Sequence, residues 1–111
     1  MLEYLFGNKT VEKALFYLLI NKKCYASELK NRLNVPVNAV QQALLKLERG
    51  GVLVNFTEGR TRVFQFNPRY PFLNELQAFL KKAYEFLTDK VKQQSYEQIT
   101  RRRPRKTGKP L

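Results

Sequence analysis

The sequence predicts a mainly α-helical domain with a small β-hairpin, in the order α-β-α-α-β-β-α. Three observations lead there. Two short amphipathic segments, SELKNRL and VNAVQQALLKLER, succeed one another across Asn34-Val35-Pro36. Two runs rich in β-branched and aromatic residues, VLVNFT and TRVFQF, flank Glu58-Gly59-Arg60, which is a hairpin signal. An apolar stripe then recurs at helical spacing from Phe72 to Leu87.

The chain begins with an apolar stretch, Leu2, Leu5 and Phe6, broken at Gly7. Asn8 is a candidate N-cap for a helix over residues 9–20. Its ALFYLLI segment is apolar almost all round, so it needs cover on every side. The core supplies one side; a further element or a second subunit must supply the other.

Asn21-Lys22-Lys23 reads as a polar turn and Cys24-Tyr25 as a short strand. The next helix starts at Ala26 or Ser27, with Ser27 as the candidate cap and Leu29 and Leu33 on its buried side. Asn34 tolerates the left-handed conformation that ends it. Pro36 fits a helix only in its first turn. A helix, a tight turn and a helix in direct succession make a helix-turn-helix.

The second of these helices organises the chain. Val37, Val40, Leu44 and Leu47 recur at three- and four-residue steps on one face. Asn38, Gln41, Gln42 and Lys46 lie on the other and offer amide donors and acceptors. Gly50-Gly51 supplies the positive φ that commonly closes a helix.

In the hairpin, a three-residue loop Glu58-Gly59-Arg60 with Gly59 left-handed puts Val52, Val54, Phe64 and Phe66 on one face. A two-residue Glu58-Gly59 loop instead aligns Val54 with Val63. The first gives the cleaner apolar face and is the expected register. Asn67-Pro68 ends the hairpin.

A single long helix is expected over residues 70–94. Phe72, Phe79 and Phe86 recur every seven residues, as do Leu73, Leu80 and Leu87, with Leu76 and Ala83 between them. A helix of about 24 residues spans about 36 Å, roughly the width of such a domain. It is therefore read as partly core and partly an interface between copies.

At 111 residues, the chain holds one domain, expected over residues 1–95, followed by a tail over 96–111. The net charge is +12 from 21 basic and 9 acidic residues. Arg101, Arg102, Arg103, Arg105, Lys106 and Lys109 put six basic residues and no acid in residues 101–111, leaving a net +6 over the rest. A polyanion is the expected class of partner. The RRRPRKTGKPL end is expected to be disordered and to add affinity that depends on salt rather than on sequence.

Cys24 is the one cysteine and there is no histidine. An internal disulfide, a Cys2His2 zinc site and histidine-based catalysis are excluded within this chain. Cys24 is read as a small buried residue rather than a reactive thiol. No nucleophile–base pairing, glycine-rich phosphate loop or paired-carboxylate motif occurs, so no enzymatic activity and no cofactor are expected. Residues 15–20 are too few to span a bilayer, and the start lacks the basic residues of a signal peptide. A cytoplasmic, nucleoid-associated protein with no membrane partner is expected.

The stretches LFGNKTVEKALFYLL, YASELKNRLNVPVNAVQQALLKLERGGVLV and EGRTRVFQFN together resemble a winged helix-turn-helix transcriptional regulator, most closely the ArsR-like group. The resemblance implies a sequence-specific regulator, a repressor, that binds double-stranded DNA as a homodimer. It places the recognition helix, residues 37–49, in the major groove with Asn38, Gln41, Gln42 and Lys46 towards the bases or phosphates. It places residues 58–62 as a wing, with Arg60 and Arg62 on the backbone or in the minor groove. The first and last helices would form the dimer interface through Leu5, Phe16, Leu19, Leu76, Phe79, Leu80, Ala83, Phe86 and Leu87. Ala43 and Leu45 stand where relatives often carry a polar or basic side chain. Many ArsR-like proteins sense metals through cysteine, histidine and carboxylate clusters. Without those residues, no metal partner is expected here. The alternative is a winged helix that docks protein or RNA, with nucleic-acid affinity coming mainly from the basic tail.

Overall fold

The computed structural model describes residues 1–97. The basic residues Arg101, Arg102, Arg103, Arg105, Lys106 and Lys109, expected to bind nucleic acid, lie outside the described residues.

The order is α1 (Glu3–Phe6), α2 (Lys9–Asn21), β1 (Lys23–Cys24), α3 (Ala26–Leu33), α4 (Val37–Arg49), β2 (Leu53–Glu58), β3 (Thr61–Phe66), α5 (Leu73–Tyr84) and α6 (Asp89–Val91). A π-helical turn, Lys92–Tyr96, continues α6. The three strands form one antiparallel sheet in the order β1-β3-β2. This is a winged-helix fold.

The apolar start forms one helical turn, α1, that ends at Gly7 with φ +73°. Asn8 then caps α2: its side-chain oxygen accepts from the Thr10 and Val11 N–H groups at 2.8 and 3.2 Å. These are donors that the first turn of a helix leaves unpaired.

Residues 14–19 of α2 are all buried. The chain itself provides their cover, through α4, α5 and the returning C-terminal segment. Phe16 is wholly enclosed, against Tyr84 and Tyr96 at ring separations of 5.9 and 5.7 Å.

Helix α3 starts one residue before the expected cap. Tyr25 takes the cap position, and the Glu28 carboxylate accepts from its N–H at 3.4 Å. Ser27 thus falls inside the first turn. Asn34 ends α3 in the left-handed region, φ 55°, as expected from its tolerance of that conformation. Pro36 precedes α4, which runs over the expected residues.

Gly51 (φ +81°) closes α4. Val52 N–H reaches Leu47 O at 2.9 Å and Gly51 N–H reaches Glu48 O at 3.0 Å. That double closure satisfies carbonyls at the helix end and turns the chain into β2. Asn67 fixes the same corner: its amide donates to Gly51 O at 2.9 Å.

The hairpin register differs from both alternatives. Glu58 pairs with Thr61, so the loop is Gly59-Arg60, with Gly59 at φ +64°. Leu53 stands opposite Phe66, Asn55 opposite Phe64, and Val54 opposite Gln65. A one-residue slip reverses every side chain of a strand. It exchanges Val52 and Val54 for the larger Leu53 as the core residue of β2, alongside Phe64 and Phe66.

The long helix expected over residues 70–94 is two pieces. Phe86 and Leu87 N–H groups bond three residues back, to Ala83 and Tyr84 carbonyls at 3.0 Å, which tightens the end of α5. Thr88 is extended and caps α6 by accepting from Val91 N–H at 3.2 Å. The chain turns back onto α2 and α3 and buries Tyr96. Arg32 donates to Glu97 O at 2.7 Å, and Tyr84 donates to the Glu97 carboxylate at 3.1 Å. The packed domain therefore runs past residue 95, and α5, at 12 residues, is about 18 Å long rather than the 36 Å that pointed to an interface between copies.

Candidate nucleic-acid interface

Helix α4 is packed along one side and open along the other. Val40, Ala43, Leu44 and Leu47 are buried, while Val37, Asn38, Gln41, Gln42, Leu45, Lys46 and Arg49 are exposed. Ala43 retains only 3% of its surface, so it belongs to the core face. Leu45 alone of the two unusual residues belongs to the open face. Glu48 faces β2, where Asn55 Nδ2 donates to its carboxylate.

Two concavities flank the open side. The first, about 460 Å³, lies between α4, the start of α3 and the hairpin; Gln41, Leu45, Tyr25, Ser27, Arg60 and Arg62 are among its walls. The second, about 660 Å³, lies on the other flank, between Asn8 and the α4 residues Gln42, Ala43, Leu45, Lys46 and Arg49. Among the described residues, neither is lined by an acidic side chain, and each carries two cations. The surface is thus locally positive on both sides of one exposed helix, the electrostatic form that suits a polyanion.

The fold brings Gln41, Arg60 and Arg62 to one groove although they are distant in sequence. It separates Gln41 from Gln42, which lines the opposite flank with Lys46. Asn38 stands exposed at the start of α4 and lines neither groove. Thr61 falls within the expected wing, residues 58–62; Tyr25, Ser27, Asn8 and Arg49 line the grooves without having been expected there. Arg49 had a signal, three residues beyond Lys46 on the same helix face. The others arrive through tertiary packing and had none.

Lys23, in β1, pairs with Glu58 beside the hairpin loop at 3.0 Å. Both are well exposed, so the pair contributes at most about 1 kcal/mol. Arg32 is engaged by the Glu97 carbonyl, whereas Lys22 and Lys30 are exposed. Cys24 is buried, and burial, with a smaller push from the Glu28 carboxylate, raises its thiol pKa to about 12.

The residues expected at a dimer interface divide. Phe16, Leu19, Leu80 and Ala83 are buried within this chain. Leu76 and Leu87 are half-buried against the core. Leu5, Phe79 and Phe86 are exposed, Phe86 to 71%. Phe79 touches Phe6 edge-on at 6.4 Å, and Tyr4 and Phe72 add exposed rings. Among the described residues, no helix is long and apolar enough to cross a membrane.

No family model matches the chain, and no curated protein matches it. Solved structures do. The chain is similar to a mutant of Lactococcus lactis ZitR in apo form, at 16% identity and a TM-score of 0.55, covering 83% of this chain and 78% of that one. It is similar to the adhesin competence repressor AdcR of Streptococcus pyogenes, at 14% identity and a TM-score of 0.54, covering 83% and 74% of the two chains. At these identities the likeness establishes the fold.

The neighbours overturn one expectation. The ZitR structure is an apo form, the state of a protein without a ligand that it takes, so a winged helix of this shape gives no ground for excluding a metal partner. The exclusion is withdrawn. Among the described residues, no three histidine, cysteine or carboxylate side chains are grouped to hold an ion, so no metal site is assigned.

Proposed function

We propose that this chain is a DNA-binding transcriptional regulator acting as a homodimer, with α4 in the major groove and the 58–62 hairpin against the backbone or minor groove. The observation that carries this reading is the pair of acid-free, doubly cationic grooves on either side of the exposed face of α4. Helix α4 is about 20 Å long at 1.5 Å per residue, enough to cross a major groove. Gln41 and Gln42 provide amides for adenine edges, and Arg60 and Arg62 provide phosphate contacts. Leu5, Phe79 and Phe86 supply the apolar surface for the partner copy. Repression fits the likeness to AdcR, a repressor by name. The ArsR-like grouping rests on the sequence resemblance.

Selection of preferred duplexes from a random pool at physiological salt tests the reading, using the full chain and a chain ending at Glu97. A common preferred sequence in both supports it. If all nucleic-acid binding disappears with residues 98–111, the folded domain is not the reader and the docking-module alternative stands.

A further inference from the structure

Leu45 forms part of both grooves that flank α4. It lies one turn beyond Gln41 on the same line of the helix, and 41% of its surface is open. It therefore stands between the two grooves, with Arg60 and Arg62 lining one and Lys46 and Arg49 the other.

Building on the DNA-reading function above, we propose that Leu45 reads the C5-methyl group of thymine, and that the site preferred by each α4 carries an A·T pair at its centre. A positively charged, acid-free surface suits a polyanion, and an apolar group set between its two grooves suits an apolar feature on that polyanion. In the major groove of DNA, the thymine methyl is that feature. RNA offers none of this: its major groove is deep and narrow, beyond the reach of side chains. The neighbouring amide of Gln41 matches the N6 and N7 edge of adenine, whereas guanine is read best by arginine or lysine. Positions 41, 42 and 45 carry neither; Lys46 and Arg49 stand to the flank.

The test replaces single thymines in the duplex selected by the full chain with deoxyuridine, which removes only the methyl. At the contacted position, affinity is expected to fall about fourfold, the worth of one buried methyl-sized group. Leu45→Ala is expected to bind the thymine and deoxyuridine duplexes alike, and Leu45→Arg to shift the selected base at that position to guanine. If every deoxyuridine duplex binds the unaltered protein as tightly as the parent, the thymine assignment is overturned while DNA reading stands. Persistence of the discrimination in Leu45→Ala overturns the role of Leu45. If the unaltered protein selects no sequence at all, the DNA-reading function falls, and this inference with it.

Discussion

The side-chain amide of Asn21 donates to the main-chain carbonyl of Tyr96 at 2.7 Å. This bond joins the end of α2 to the end of the described chain, and it holds the Tyr96 ring among Phe16 and Tyr84. The C-terminal segment is thus part of the core rather than an appendage to it.

Removing that ring should be costly. Tyr96→Ala is expected to lower stability by about 3 kcal/mol, as deletion of a large buried aromatic side chain does. A chain ending at Glu97 should keep the denaturation midpoint of the full protein. Urea titration of both decides it; equal midpoints for Tyr96→Ala and the parent would show that the aromatic cluster contributes nothing.

Gln41 and Gln42 line opposite grooves, so their losses should appear at different base positions. Each change to alanine is expected to reduce discrimination by about 1–3 kcal/mol at its own position. Arg60→Ala should instead weaken binding to all duplexes alike and reduce the salt slope by about one phosphate equivalent. Binding titrations over a series of salt concentrations separate the two behaviours. A sequence-specific loss with Arg60→Ala would contradict the wing assignment.

The proposed partner surface depends on rings that the chain leaves open. Phe79→Glu combined with Phe86→Glu is expected to convert dimer to monomer with the helical content retained, and to lower the unfolding midpoint as loss of subunit binding does. Light scattering at micromolar concentration reads this directly. A monomeric parent protein under those conditions removes the dimer from the reading.

Cys24 should make alkaline stability measurable. Its thiol ordinarily ionises at 9.0, and burial raises the folded value to about 12. Below pH 9 both states are protonated and the full contribution is present. Above it the unfolded chain loses the proton first, so stability falls as pH rises from about 9 to about 12. Burial pushes the phenols of Tyr84 and Tyr96 in the same direction. Cys24→Ala should therefore retain part of the alkaline decline but flatten its first portion. Rapid alkylation of the native thiol at pH 8 would contradict its burial.

Much of the helical part was legible because its signals are local. Asn8 accepts from the N–H groups just ahead of it, Asn34 takes a left-handed φ at its own position, and Gly51 closes α4 within one turn. The hairpin was harder. Its existence follows from composition, but its register depends on whether Leu53 or the two valines enter the core, which strand alternation alone cannot decide. The site was legible on α4, where period and polarity separate the faces, except at Ala43, whose small side chain fits either. Tyr25 and Ser27 join the groove only because α3 is laid beside the hairpin.

The sequence by itself determined the mainly helical class, the span of α4, the left-handed turn before it, and the basic character of the surface. Those features depend on caps, spacing and charge, all set within a few residues. The tertiary structure alone decided the fate of the C-terminal stripe. A seven-residue repeat favours one continuous helix, yet Thr88 offers a competing cap, and enclosing Tyr96 against Phe16 and Tyr84 favours the return. That competition is settled by burial between segments far apart in sequence, and no local pattern records its outcome.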